Sequence, residues 1–119
     1  DNMLLIIGGE GSGKRAFAKS RGYTDADMAD AVLDDRPVLF HLEQLVFQAP
    51  ENADSLFQAF SKKEVVICNE VGSGIIPTDE TERKGREATG RLCILLAREA
   101  DCVVRMVSGI PMVIKGTLS

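Results

Sequence analysis

Residues 3–15 read Met3-Leu4-Leu5-Ile6-Ile7-Gly8-Gly9-Glu10-Gly11-Ser12-Gly13-Lys14-Arg15, an apolar run that breaks into a glycine-rich loop closed by a lysine. Five consecutive apolar residues predict a strand buried on both faces. From Gly8 through Lys14 the chain follows the phosphate-cradling pattern G-x-x-x-x-G-K-[ST], and it departs only at the final position. Glycines there let successive backbone N–H groups turn toward phosphate oxygens. The lysine reaches the β- and γ-phosphates, and the last hydroxyl binds Mg²⁺. Arg15 replaces that hydroxyl, and a guanidinium offers no acceptor to a cation. Downstream, residues 14–20 are helix formers without Pro or Gly, and Gly22 is the expected stop. Strand, loop and helix in this order are the context the motif requires. Gly8, Gly9, Glu10, Gly11, Ser12, Gly13, Lys14 and Arg15 are therefore the expected nucleotide-binding residues.

Composition narrows the class. The 119 residues are 45% hydrophobic and 27% charged, which suits one globular domain with a single core and excludes disorder as a default. The expectation is one nucleotide-binding domain over residues 1–119, with Asp1-Asn2 a remnant ahead of a native start at Met3. A formal net charge of −4 lacks the basic excess of a nucleic-acid footprint. No apolar stretch has the length of a membrane span and no signal-peptide pattern is visible, so neither nucleic acid nor membrane is an expected partner and the expected location is cytoplasmic. Cys68, Cys93 and Cys102 lie in apolar segments without metal-type spacing and read as buried, reduced thiols.

Further strands are predicted at residues 37–42, 64–69 and 102–107, with a short strand at 112–115 folding back as a hairpin after Ser108-Gly109-Ile110-Pro111. Thr24-Asp25-Ala26-Asp27 resembles a capping box opening a helix through Leu33, with Met28, Ala29, Val32 and Leu33 on one face. Residues 53–60 form a second helical pattern. The longest starts at Thr78, carries acids in its first turn, and runs to about Glu99 with Ala88, Leu92, Leu95 and Leu96 as its apolar stripe. Alternating strands and helices predict an α/β, P-loop NTPase-like three-layer sandwich: a mainly parallel sheet with a C-terminal β-hairpin.

In such a sheet ligands bind beyond the carboxyl ends of the strands. His41 and Glu43, Asn69 and Glu70, and Ser108 and Gly109 then face the glycine loop. Phosphoryl transfer needs a carboxylate or hydroxyl on metal, positive charge on phosphate and a positioned nucleophile. Glu70 follows four strand residues as the acid of a Walker B element does, and Glu43 sits comparably after an earlier strand; both are expected metal ligands. His41, the sole histidine, ends an apolar run, where a packed, hydrogen-bonded role is the commoner one. Arg83, Arg86 and Arg91, with Glu87, recur on one helix face. They make either a solvated charged surface or an arginine wall over the phosphates, and spacing does not choose.

Gly8-Gly9-x-x-Ser12-Gly13-Lys14 resembles the loop of the adenosylcobinamide kinase/adenosylcobinamide-phosphate guanylyltransferases of cobalamin biosynthesis. Asn69-Glu70-Val71-Gly72-Ser73-Gly74-Ile75-Ile76-Pro77 is similar to that family's N-E-V-G-x-G-I-V-P segment. Arg83-x-x-Arg86-Glu87-x-x-Gly90-Arg91 resembles its R-x-x-R-D-x-x-G-R helix, and Val107-Ser108-Gly109-Ile110-Pro111 with Lys115 its closing hairpin. The resemblance implies ATP or GTP with Mg²⁺, a corrinoid substrate, phosphorylation of its aminopropanol hydroxyl, and a homo-oligomer. Lys14, Glu70 and Arg86 are its implied catalytic residues. Arg15 and Cys93 depart from the family's Ser and Asn, and His41 from a strand-end Glu. The segment between Ser20 and Pro37 is shorter than the family's and contains no match to its guanylylated histidine. Two readings stand: a phosphotransferase without the covalent guanylylation step, or a catalytically impaired nucleotide-binding paralogue acting as sensor or partner subunit.

Overall fold

A computed structural model describes residues 3–69 and 79–118. In chain order its elements are β1 (Leu4–Gly8), α1 (Lys14–Ser20), β2 (Met28–Asp30), β3 (Val38–Phe40), α2 (Leu42–Gln48), α3 (Ala53–Phe60), β4 (Val65–Asn69), α4 (Glu80–Glu99), β5 (Cys102–Val107) and β6 (Ile110–Lys115). The strands form one sheet in the order β2-β3-β4-β1-β5-β6. All neighbours are parallel except β5 and β6, which pair antiparallel as a hairpin.

The apolar runs are continuous because the central strands are covered on both sides. On one face Leu5, Leu39, Val66 and Val103 pack with Leu42, Val46, Phe60, Leu92 and Leu96 from the helices. On the other, Ile6, Val38, Val65, Ile67 and Val104 pack with Ala18 of α1. Alternate strand residues thus serve opposite cores. A Cβ on Gly85 would meet ring atoms of Phe47 at 2.8 Å, so glycine permits the close approach of α4 to α2.

Most of the expected elements are present, and four expectations are corrected. The helix through Leu33 is absent. The Thr24–Asp27 capping box forms with both of its bonds, but it closes a single 3₁₀ turn. Met28 and Ala29 then enter opposite cores as strand residues, while Val32 and Leu33 stay exposed; pairing with β3 overrides the helical pattern. The strand expected over 37–42 is shorter, because Leu42 already opens α2, a helix the sequence reading lacked. Leu95 lies outside the buried stripe of α4 and is exposed. Finally, Cys68 and Cys93 are not free thiols but a disulfide joining β4 to α4, while Cys102 remains free and buried.

Candidate functional site

The carboxyl ends of β1, β2, β3 and β4 converge on the glycine-rich loop. Gly11 and Gly13 hold φ of 74° and 95°, the left-handed region that glycine enters without steric cost. Gly13 also caps α1, whose Phe17 N–H donates to its carbonyl at 2.9 Å. On its outer side the loop meets the β5–β6 turn: Gly109 N–H donates to the Ser12 carbonyl at 2.9 Å, and a Cβ on Gly13 would lie 3.2 Å from Gly109 Cα.

Lys14 is buried. Its Nζ turns back over the loop, donating to the Gly9 carbonyl at 2.6 Å and approaching Ser12 Oγ at 3.5 Å. The fold therefore holds an ammonium at the loop's hollow, against a backbone carbonyl of the loop itself. Beside it lies a cavity of about 380 Å³ lined by Glu10, Gly11, Gly13, Lys14, Arg15, Ala16, Phe40, His41, Ile67 and Asn69, a size suited to a small-molecule ligand.

Arg15 borders this cavity and turns toward its outer wall. Its guanidinium donates to Asp25 at 3.0 Å, and its Cζ lies 5.2 Å from the Phe40 ring centroid, within cation–π range. Lys19 also reaches Asp25, at 2.8 Å. Hydrogen bonds from Lys19 and then Arg15 hold the Asp25 carboxyl below its ordinary range.

Asn69 Nδ2 donates to Glu43 Oε1 at 3.2 Å. Glu43 Oε2 is buried and has no hydrogen-bond partner among the described residues. Glu43 thus reaches the cavity's edge through Asn69, one residue before the expected Glu70; Glu70 itself lies outside the described residues. Arg86 pairs along α4 with Glu82 at 3.5 Å and is not among the residues lining the cavity. The geometry brings together Gly11, Gly13, Lys14, Arg15 and Asn69, with Glu43 adjoining. Phe40 and Asp30 are additions, while His41, expected to face the loop, lines the cavity. His41 Nδ1 lies 2.5 Å from Asp30 Oδ1.

A family model described as cobinamide kinase / cobinamide phosphate guanyltransferase matches residues 28–114. The chain belongs to this family. It is also 31% identical over 114 residues to the bifunctional adenosylcobalamin biosynthesis protein CobU of Salmonella typhimurium strain LT2. That alignment covers 96% of this chain and 51% of the relative, so the chain spans about half the relative's length. The cobinamide kinase / guanyltransferase match takes in β2, β3, α2, α4 and most of the hairpin, and it begins after the glycine loop. No helix among the described residues is long and apolar enough to cross a membrane.

Proposed function

We propose that this chain binds ATP or GTP at the Gly8–Arg15 loop and transfers the terminal phosphate to the hydroxyl of a cobinamide-type acceptor in cobalamin biosynthesis. The observation that carries the reading is the placement of Lys14: a buried ammonium curled over a glycine loop, opening on a cavity in a member of the cobinamide kinase family. Backbone N–H groups of Gly9 to Gly13 cradle the phosphates, and Lys14 exchanges the Gly9 carbonyl for phosphate oxygens. Both supply charge stabilisation in place, as phosphoryl transfer demands.

Mg²⁺ commonly uses one or two carboxylates together with substrate phosphates, and Glu43 Oε2, buried without a hydrogen-bond partner among the described residues, fits one such ligand. Glu70 is proposed as the second. When bound, the ion neutralises charge developing between the β- and γ-phosphates. Arg86 is proposed to contact substrate or phosphate from α4. The guanylyl-transfer half is left out of the proposal, because covalent nucleotidyl transfer requires a nucleophile and no residue matches the family's histidine. A homo-oligomer remains part of the proposed assembly.

A second reading has one observation in its favour. Arg15, standing where the motif places a hydroxyl, is engaged with Asp25 and Phe40, which suits a nucleotide-binding subunit without turnover. Incubation with γ-labelled ATP or GTP, Mg²⁺ and cobinamide separates the two. Labelled cobinamide phosphate supports the kinase; tight nucleotide binding with no labelled product supports the subunit.

A further inference from the structure

We propose that Asp30 and His41 form a substrate-orienting pair, in which Asp30 fixes the imidazole and His41 accepts a hydrogen bond from the hydroxyl that receives phosphate; this assignment rests on the kinase reading above. The two residues leave adjacent parallel strands. Asp30 ends β2, in register with Phe40 of β3, and His41 follows directly. Ala31 N–H donates to the Phe40 carbonyl at 2.9 Å. Immediately beyond the ladder, Ala31 and His41 take φ of 55° and 58°. Residues bearing side chains rarely adopt this conformation, and it concentrates at functional sites.

The chemistry of the pair decides what it recognises. An ionised carboxylate only accepts, so the 2.5 Å contact from Asp30 Oδ1 places a proton on His41 Nδ1. In the neutral ring Nε2 is then an acceptor. It suits an O–H donor and disfavours a phosphate oxygen, which also only accepts. His41 lines the cavity with Lys14, whereas Asp30 stands behind the ring and does not. Phe40 braces the imidazole from the side, with ring centroids 4.7 Å apart and planes at 47°. The charged groups sharing this cavity are Glu10, Lys14 and Arg15, with Glu43 held on Asn69 at its edge. In the transfer, the oriented hydroxyl oxygen bonds the γ-phosphorus and the bond from γ-phosphorus to the bridging oxygen breaks. The nucleoside diphosphate leaves with that electron pair, and the hydroxyl proton is released to water. Asp30 is a positioning residue; His41 touches substrate.

His41 is the sole histidine of the chain, so its imidazole ¹⁵N resonances are unambiguous. The test adds cobinamide to the chain loaded with Mg²⁺ and a non-hydrolysable ATP or GTP analogue. The expected result is a shift confined largely to Nε2, with Nδ1 remaining protonated, and loss of that tautomer in Asp30→Ala. In parallel, His41→Asn, chosen because Asn tolerates positive φ, should raise the KM for cobinamide about tenfold while calorimetry shows nucleotide affinity unchanged. His41→Gly serves if His41→Asn does not fold. Imidazole resonances indifferent to cobinamide, or a wild-type KM in the variant, overturn the assignment alone. A wild-type chain that binds nucleotide and cobinamide yet makes no product overturns the kinase reading instead.

Discussion

Asn69 Nδ2 donates to Glu43 Oε1 at 3.2 Å, tying the last residue of β4 to the first turn of α2 and leaving Glu43 Oε2 buried without a hydrogen-bond partner among the described residues. An unsatisfied buried carboxylate oxygen costs about 1–3 kcal/mol, a cost that a bound cation removes. Glu43→Gln is expected to shrink the Mg²⁺-dependent gain in nucleotide affinity about tenfold and to leave the unliganded melting temperature unchanged or higher. Calorimetry with and without Mg²⁺, beside a thermal melt, checks both.

Lys14→Ala removes the ammonium over the loop. Hydrogen bonds to charged groups contribute about 1.5–3 kcal/mol, so nucleotide affinity should fall by roughly 10- to 150-fold. The Gly9 carbonyl that Lys14 Nζ caps in the free chain is then left to water. Circular dichroism should show the fold retained; an unchanged Kd would remove Lys14 from the site.

Gly13 meets two constraints at once, a φ of 95° and the 3.2 Å approach to Gly109 Cα. Gly13→Ala should lose about 1–2 kcal/mol of stability from conformation alone, and more as the β5–β6 turn is pushed off the loop. At Gly109, φ is 79° but a Cβ meets nothing within 4 Å, so Gly109→Ala should cost less. Denaturant melts of the two variants give the comparison.

Tyr23 links the α1 side of the sheet to the start of β4: its hydroxyl donates to Glu64 Oε1 at 2.9 Å. Burial first, and the bond to Glu64 second, raise its pKa above 10.0. A group whose folded pKa is raised stabilises fully below its unfolded pKa and loses that contribution as pH rises through the folded value. Wild-type stability should therefore decline as pH climbs above about 10, and Tyr23→Phe should flatten that decline. Urea melts at stepped alkaline pH read it directly.

The Cys68–Cys93 bond closes a 25-residue separation, for which loop-closure entropy gives about 3.5 kcal/mol. Reduction should lower the denaturation midpoint accordingly. Thiol titration of the unreduced, unfolded chain should find a single free cysteine, Cys102, of the three in the sequence.

The parts of the fold legible in the sequence are those whose signals are local. Leu4–Gly8 and Val65–Asn69 read as buried strands because both faces are apolar, and Ala53–Phe60 shows its helical period within its own length. Residues 24–48 resisted reading for a physical reason. Met28 and Ala29 mimic a helix face but fill two different cores, which only the pairing with β3 reveals. Helix α2 starts from His41 in the left-handed region and has no side-chain cap, so no start signal marks it. The site divides the same way. The glycine loop and Lys14 are written in one contiguous motif, whereas Asp30 and His41 meet only after β2 and β3 align. The Cys68–Cys93 pairing has no signal in spacing and depends on α4 packing against β4.

Everything proposed for this site depends on the Gly8–Arg15 loop holding a nucleoside triphosphate. Isothermal titration of the chain with ATP and with GTP, each with and without Mg²⁺, tests it most directly. At least one nucleotide should bind saturably, more tightly with Mg²⁺, and binding should be lost in Lys14→Ala. Absence of binding by either nucleotide at millimolar concentration would contradict it.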